Sequence, residues 1–164
     1  RCTLWTVSGV VAVAVAGSLF TDTASDWYRG LTLPVFQPPA WVFGVVWTLL
    51  YALMAAALSL ALCGKGKGER EGEGCADERC ASCARRVLPL AIVAGGLNVA
   101  WTFVFFRLHA PAAALGVLAV LFVTSIALTR QLAKCSTAAA WLMLPTLAWL
   151  GYALALNYGI VTLN

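Results

Sequence analysis

The sequence predicts an all-α integral membrane protein, a bundle of five transmembrane helices. Of its 164 residues, 62% are hydrophobic and only 11% are charged, with a mean hydropathy of +0.86. Soluble domains are about half apolar and one-quarter charged. Five apolar stretches are also long enough to cross a hydrocarbon core about 30 Å thick, which takes about 20 helical residues. Residues 1–164 are therefore predicted to form a single membrane domain.

The first span is predicted over residues 4–20, where Ala, Val and Gly allow neighbouring helices to approach closely. A long loop follows over 21–39, because Pro34, Pro38 and Pro39 prevent a continuous helix. Its Trp and Tyr residues suit the headgroup region of a bilayer. We therefore expect this loop to be ordered and to lie at the membrane surface.

The second span is predicted over residues 40–62, directly after the Pro pair, where a helix begins readily. Residues 63–86 are rich in Gly, Lys, Arg, Glu and Cys and lack an apolar run, which predicts a flexible extramembrane loop. The remaining spans are predicted over 87–106, 112–133 and 138–161.

The basic residues are distributed unevenly between the two ends of the predicted bundle. Nine of the 11 Lys and Arg residues fall at the end that holds the N-terminus and the 63–86 loop, and only Arg29 and Arg107 fall at the other. The positive-inside rule predicts that the first of these ends faces the cytoplasm. Because the net charge of +4 arises from loops rather than from a basic face, nucleic acid is not a predicted partner.

Polar and aromatic residues within the spans predict a small-molecule pocket. Polar side chains in a bilayer usually point into the bundle, and an aromatic lining with a few polar groups is typical of a ligand site. Residues that share a helical face are Trp47 and Tyr51 in the second span, Asn98, Trp101 and Phe105 in the third, and Trp149, Ala153 and Asn157 in the fifth. Trp41 and Phe43 complete the predicted ligand-binding set. The alternative is that the Asn residues tie helices together and the Trp residues are core or interface anchors.

Several kinds of chemistry are disfavoured by the residues present. All seven acidic residues fall in predicted loops, so the sequence offers no intramembrane carboxylate of the kind that proton-coupled transporters use. The single histidine, His109, falls in a predicted turn and has no second histidine with which to hold haem or a metal. No cofactor is predicted to be required.

Cysteines are concentrated in the polar loop. The spacing of Cys80 and Cys83 is that of C-x-x-C metal and redox sites, and with Cys75 these are the candidate metal ligands. The Gly-rich setting and irregular spacing favour reduced thiols in a flexible linker over a metal site or a regulatory disulfide. No metal site is therefore predicted, and Cys2 and Cys135 are expected to have no specific role.

Three blocks of the sequence resemble the translocator protein family (TspO/MBR, the peripheral benzodiazepine receptor family). The blocks read WYRGL at 27–31 with PPAWVFGVVWTLLY at 38–51, LNVAWTFVFF at 97–106, and LPTLAW at 144–149 followed by LNY at 156–158. The resemblance covers almost the whole chain outside the 63–86 loop. It implies five tightly packed helices, with the loop after the first helix folded over a ligand pocket, and frequent homodimers.

The resemblance also implies ligands and a location. The ligands are porphyrins or haem, and cholesterol in animal members; some bacterial members are linked to light-dependent porphyrin breakdown through two tryptophans that match Trp47 and Trp149. The membrane would be the mitochondrial outer membrane or another endomembrane in a eukaryote, or the cell-envelope membrane in a bacterium. The basic residue that the cholesterol motif needs after Asn157-Tyr158 is missing here, and Leu33 replaces the usual basic residue before Pro34.

The sequence is therefore consistent with three functions. The first is a membrane receptor or binding protein for tetrapyrroles or sterol-like molecules, acting in their transport, sensing or disposal. The second is a photo-oxidative porphyrin-degrading enzyme that uses Trp47 and Trp149. The third is an accessory structural subunit that docks through the Cys-rich loop. A homodimer through the third span is also predicted, from the small-xxx-small pairs Ala91 with Gly95 and Gly96 with Ala100, although close packing within one bundle explains them equally well.

Overall fold

The computed structural model describes residues 2–63 and 78–164, and it describes side chains for 3–62 and 81–164. The described helices are α1 (Cys2–Phe20), α2 (Asp26–Arg29), α3 (Ala40–Cys63), α4 (Glu78–Phe106), α5 (Pro111–Cys135) and α6 (Thr137–Leu163). Within these ranges, five helices are long and apolar enough to span a membrane, and α2 is a short helix in the 21–39 loop. The predicted fold class is therefore confirmed.

The five long helices form a closed ring. Around it, α1 packs against α3, α3 against α6, α6 against α5, α5 against α4, and α4 again against α1. Most of the deeply buried large side chains belong to α5 and α6, and they include Leu118, Leu128, Met143 and Leu150. Because α1 exposes many of its large apolar side chains, it lies at the periphery of the ring and faces lipid.

Local sequence explains where several helices begin. Pro39 immediately precedes α3, and Pro111 occupies the first turn of α5, where its missing N–H costs no hydrogen bond. Ser136 caps α6 by accepting a hydrogen bond from the Ala139 N–H at 3.3 Å. These signals place the α3, α5 and α6 starts within one or two residues of the predicted spans.

Helix α4 begins well before the predicted third span. It starts at Glu78, so the part of the predicted loop over 78–86 is helical. Cys83 and Val87, one turn apart, are buried in a core cluster with Leu132 and Ala139, while Arg85 and Arg86 are exposed. This amphipathic extension lacks a continuous apolar run, which is why hydropathy alone did not reveal it. Residues 64–77, including Cys75, lie outside the described part of the chain.

Two of the cysteines form a disulfide, contrary to the expectation of reduced thiols. Cys83 of α4 is bonded to Cys135 at the end of α5, with 6.0 Å between their Cα atoms. Cys135 therefore has a specific partner, and Cys83 is not free to act as a metal ligand in this state. The prediction failed because pairing depends on distance in the fold, which sequence spacing does not reveal. The side chain of Cys80 lies outside the described residues.

One of the two small-residue pairs on α4 serves packing within the bundle. Gly95 is buried against α1, and a Cβ added there would meet Val13 Cγ2 at 2.9 Å. The Ala91 and Gly95 pair therefore allows α1 to approach α4 and is not free for a dimer contact. Gly96, on the other pair, is exposed, and a Cβ added there would meet no atom within 4 Å.

Candidate ligand-binding site

The 21–39 loop folds over one end of the helical ring. Ser25 caps α2 by accepting from the Tyr28 N–H at 3.3 Å, and Trp27 stacks on His109 with ring centroids 4.3 Å apart. At the far side, Asn164 accepts from the Thr32 N–H at 2.9 Å and donates to the Thr32 carbonyl at 3.1 Å. We call residues 21–39 the lid loop; its contacts hold both of its halves against the bundle.

The lid loop also packs closely on α6 at Gly159. A Cβ at this position would lie 2.6 Å from Pro34 Cγ, so only glycine permits the contact. Nearby, Tyr152 Oη donates a hydrogen bond to the Phe36 carbonyl at 2.6 Å. The Pro-rich half of the lid loop is therefore fixed to α6 by shape and by hydrogen bonding.

Beneath the lid loop lies a cavity enclosed mainly by aromatic side chains. It has an empty volume of about 650 Å³, part of which is open to the surroundings. We call it the aromatic cavity. Its lining residues are Thr21, Thr23, Tyr28, Gln37, Phe43, Trp47, Trp101, Thr102, Phe105, Phe106, Trp149, Ala153, Leu156, Asn157 and Ile160.

Ring contacts join the aromatic residues of the cavity into two groups. Trp47 lies 6.2 Å from Trp101, and Trp101 lies 6.3 Å from Phe105, measured between ring centroids. On the opposite side, Phe43 packs edge-on against Trp149 at 5.7 Å. Helices α3, α4 and α6 thus each contribute large flat surfaces, an arrangement that suits a flat apolar ligand.

Two residues that line the aromatic cavity each have a buried polar atom without a hydrogen-bond partner among the described residues: the Trp149 Nε1–H donor and the Gln37 Oε1 acceptor. Gln37 Nε2 donates to Tyr28 Oη at 3.0 Å, and burial raises the pKa of the Tyr28 phenol above its ordinary value. Tyr28 therefore stays protonated at neutral pH. A buried polar atom without a partner is costly, so a ligand that bonds to either orphan would be favoured.

The lining side chains of the aromatic cavity carry no formal charge among the described residues. It therefore offers neutral donors and acceptors rather than a carboxylate or a base for acid–base catalysis. This chemistry fits the binding of a lipophilic molecule by its flat faces, with one or two hydrogen bonds to orient it.

Comparison with known proteins establishes the family. The sequence profile of the TspO/MBR family matches residues 6–163. The chain belongs to this family. It is 35% identical to the tryptophan-rich protein TspO of Archaeoglobus fulgidus over 159 residues, which cover 96% of this chain and 94% of that protein. It is 34% identical to the tryptophan-rich sensory protein of Cereibacter sphaeroides, covering 93% and 85%. It is also 34% identical to the human translocator protein, covering 80% and 71%.

Membership of the TspO/MBR family, together with five spanning helices, supports a multi-pass membrane protein with a sensory or binding role. Seven of the ten predicted ligand-binding residues line the aromatic cavity of this family member; they are Phe43, Trp47, Trp101, Phe105, Trp149, Ala153 and Asn157. Tyr51 and Asn98 line an adjoining cavity instead. Trp41 is 70% exposed on α3 and does not line either of these two cavities.

Both asparagines of this TspO/MBR chain also tie helices together. Asn98 Oδ1 accepts from Tyr51 Oη at 3.0 Å, joining α4 to α3. Asn157, with its amide turned to face its neighbours correctly, donates to the Pro111 carbonyl at 3.0 Å and accepts from the Leu115 N–H at 3.2 Å. Lining a cavity and tying helices together are therefore compatible roles, since Asn157 lines the cavity and also anchors the start of α5.

Sequence reasoning missed the contribution of the lid loop to the cavity. Tyr28 and Gln37 line it, as do Leu156 and Ile160 of α6. Helical spacing does not place loop residues, although the resemblance to the family implied a loop folded over the pocket. Among the described residues, no group of three His, Cys, Asp or Glu side chains is placed to hold a metal ion.

Proposed function

We propose that this protein is a membrane receptor for a flat lipophilic molecule, a tetrapyrrole such as porphyrin or haem, and that it acts in the transport, sensing or disposal of that molecule. A sterol-like molecule is the alternative ligand. The observation that carries the proposal is the aromatic cavity, with large rings on three helices and two orphaned polar atoms beneath a fixed lid loop.

The ring faces and the neutral polar atoms of the lining support a tetrapyrrole over a sterol. A conjugated macrocycle stacks on indole and phenyl faces such as those of Trp47, Trp101 and Trp149, and it carries polar atoms that can bond to the Trp149 Nε1–H. A sterol would use the apolar volume but not the ring faces. The family's cholesterol motif is also incomplete after Tyr158.

The test is a titration of the detergent-purified protein with protoporphyrin IX in the dark. Binding is followed by the porphyrin Soret absorbance, so that a Trp substitution does not remove the reporter. Trp149→Phe keeps an aromatic ring but loses the orphaned donor, and we expect it to weaken binding about two- to tenfold, the effect of one hydrogen bond. Gln37→Leu tests the orphaned acceptor in the same way.

Trp141→Phe is the matched control, because Trp141 lies on the same helix and is 67% exposed. It lines neither the aromatic cavity nor the cavity that adjoins it. This variant should bind porphyrin as the unaltered protein does. Asn157→Ala is a less clean variant, since it also removes the anchor at the start of α5. An absence of saturable binding, or equal binding by Trp149→Phe and Trp141→Phe, would refute a tetrapyrrole site in this cavity.

A second function, light-dependent porphyrin breakdown, is favoured by the position of Trp47 and Trp149, which both line the aromatic cavity. An indole next to an excited porphyrin can donate an electron to it without any acid or base. At saturating porphyrin under illumination, Trp47→Phe and Trp149→Phe should each abolish turnover while the site remains occupied. Turnover that persists in both variants would refute a breakdown mechanism that depends on Trp47 and Trp149.

The same proposal includes a homodimer through α4. Its remaining small-residue pair, Gly96 and Ala100, lies on a part of the helix where Gly96 is exposed. Gly96→Leu would fill that face, and we expect it to shift the purified protein from dimer to monomer in light-scattering measurements. An unchanged mass would place the contact elsewhere.

A further inference from the structure

A second cavity adjoins the aromatic cavity and opens toward the lipid. It lies between α1, α3 and α4 and has an empty volume of about 1030 Å³, including open space. We call it the side cavity. Its lining residues are Ala14, Val15, Gly17, Ser18, Thr21, Phe43, Gly44, Trp47, Thr48, Tyr51, Asn98 and Thr102. Four of them, Thr21, Phe43, Trp47 and Thr102, also line the aromatic cavity, so the two spaces share a boundary.

The contact between α1 and α3 is closed at one end and open at the other. At the closed end, Thr6 and Ser59 are joined by a hydrogen bond of 2.8 Å between their hydroxyls. At the open end both helices carry glycine. A Cβ added at Gly44 would meet no atom within 4 Å, and one added at Gly17 would first meet Tyr51 Oη at 3.6 Å. Because glycine has no side chain, the space between the two helices at these positions stays open and forms part of the side cavity.

The hydroxyl groups at the rim of this opening are already hydrogen-bonded, so the rim behaves as an apolar surface. Ser18, Thr21 and Thr48 donate their hydroxyl hydrogens to the carbonyls of Val15, Gly17 and Gly44, at 2.8, 3.0 and 2.8 Å. Their polarity is thereby satisfied by their own helices, and a passing ligand need not displace a bound partner. Val15, Val45 and Leu49 are exposed beside the opening within the predicted spans, as expected of a surface in contact with lipid tails.

The end of the bundle that faces water is closed by comparison. The lid loop is bonded to Asn164 through Thr32, its Phe36 carbonyl accepts from Tyr152, and Pro34 is packed against Gly159. These three contacts hold the second half of the lid loop, residues 32–36, against α6. A ligand dissolved in the bilayer meets a gap between two helices that already reaches the wall of the aromatic cavity.

We propose that the ligand reaches the aromatic cavity sideways from the membrane, through the opening between α1 and α3, with Phe43 and Trp47 as the inner gate. The inference rests on the proposed function, since it concerns the ligand of that cavity. Phe43 and Trp47 are the gate because they are the large side chains that line both spaces. The Tyr51 to Asn98 hydrogen bond forms the deep boundary of the opening.

The test fills the opening without touching the aromatic cavity. Gly44→Phe and Thr48→Phe place a ring at the rim, one helical turn apart, at positions that line only the side cavity. Rates of protoporphyrin IX binding and release are measured by stopped flow with the protein in lipid nanodiscs. A narrowed passage slows both directions equally, so we expect association and dissociation to fall together by about tenfold while Kd stays within about twofold.

Two controls separate this inference from its alternatives. Gly116→Phe adds the same ring on α5, where an added Cβ also meets no atom within 4 Å, and should leave both rates unchanged. Asn164→Ala loosens the lid loop and should also leave them unchanged if the ligand passes between α1 and α3.

Normal rates in both Gly44→Phe and Thr48→Phe, or faster rates in Asn164→Ala, would overturn the side opening while saturable binding still upheld the proposed function. A lack of saturable binding by the unaltered protein would instead overturn the proposed function itself. A rise in Kd without slower rates would show that the added rings distort the site, and it would also count against the side opening.

Discussion

At the level of single residues, the packing of this molecule depends on two kinds of position. At some, only glycine leaves room for a neighbouring segment; at others, a polar side chain is hydrogen-bonded to another helix. Gly159 allows the lid loop to touch α6, and Gly95 allows α1 to touch α4. Asn98 and Asn157 form hydrogen bonds between helices, as expected of polar side chains within a bilayer. The type of these residues is visible in the sequence, but the neighbour that makes each one necessary is not.

Gly159→Ala should destabilise the protein and loosen the lid loop. The added methyl would lie 2.6 Å from Pro34 Cγ, and overpacking of this kind typically costs about 1–3 kcal/mol. Thermal unfolding followed by circular dichroism in detergent should show a lower Tm. Gly116→Ala is the control, because its methyl meets no atom within 4 Å and alanine favours a helix. Equal melting temperatures would mean that the lid loop yields at no cost.

Tyr51→Phe should weaken the packing of α3 on α4 while leaving the aromatic cavity intact. It removes the donor to Asn98 Oδ1, an interhelical hydrogen bond of a kind worth about 0.6 kcal/mol on average in a membrane protein. We expect a small fall in Tm with unchanged porphyrin affinity. Tyr158→Phe, at an exposed position on α6, is the matched control. A lower affinity in Tyr51→Phe would show that the side cavity also holds bound ligand.

At the scale of elements, α4 and α5 form a helical hairpin fastened at both ends. The turn over 107–110 joins them at the lid-loop end, and the Cys83 to Cys135 disulfide joins them at the other. For a separation of 52 residues, loop-closure entropy in water would contribute about 4 kcal/mol. The contribution in a bilayer should be smaller, because inserted helices are already confined to the membrane.

The disulfide predicts a specific pattern of thiol reactivity. Before reduction, Cys83 and Cys135 should resist a maleimide reagent in denaturant, and after reduction both should react, as read by peptide mass spectrometry. In Cys135→Ser, Cys83 should react without reduction. Labelling of Cys83 in the unreduced, unaltered protein purified under oxidising conditions would show that the bond does not form.

At the scale of the whole molecule, charge and fold together set the orientation in the membrane. The described basic residues Arg85, Arg86, Arg130 and Lys134 belong to the disulfide end of the bundle, whereas Arg29 and Arg107 belong to the lid-loop end. Because this asymmetry acts during insertion, we expect the disulfide end to face the cytosol. Cytosolic thiols are usually kept reduced, so the bond should form only when that compartment becomes oxidising.

Glycosylation mapping tests the orientation. An acceptor sequence inserted into the 64–77 segment should remain unmodified in cells, whereas one inserted into the lid loop should be modified in membranes whose far side is the secretory lumen. The reverse pattern would place the disulfide in an oxidising compartment and make it a constitutive bond. The same cells, alkylated before lysis, report whether Cys83 is reduced.

The membrane environment, the five spans and most of the aromatic face of the site follow from the amino-acid sequence alone. Hydropathy and helical spacing are local properties, so they place Trp47, Trp101 and Trp149 on inward faces without knowledge of the neighbouring helices. The family resemblance rested on the same residues. The local sequence also explains why α3, α5 and α6 begin close to Pro39, Pro111 and Ser136.

The contacts between residues far apart in the chain depend on the tertiary structure. It paired Cys83 with Cys135, extended α4 back to Glu78, left Trp41 exposed, and brought Gln37 from the lid loop to the cavity. Each of these depends on distances between segments far apart in the chain. No local pattern encodes such distances, because they follow from how the helical ring closes and from where small residues let the helices approach.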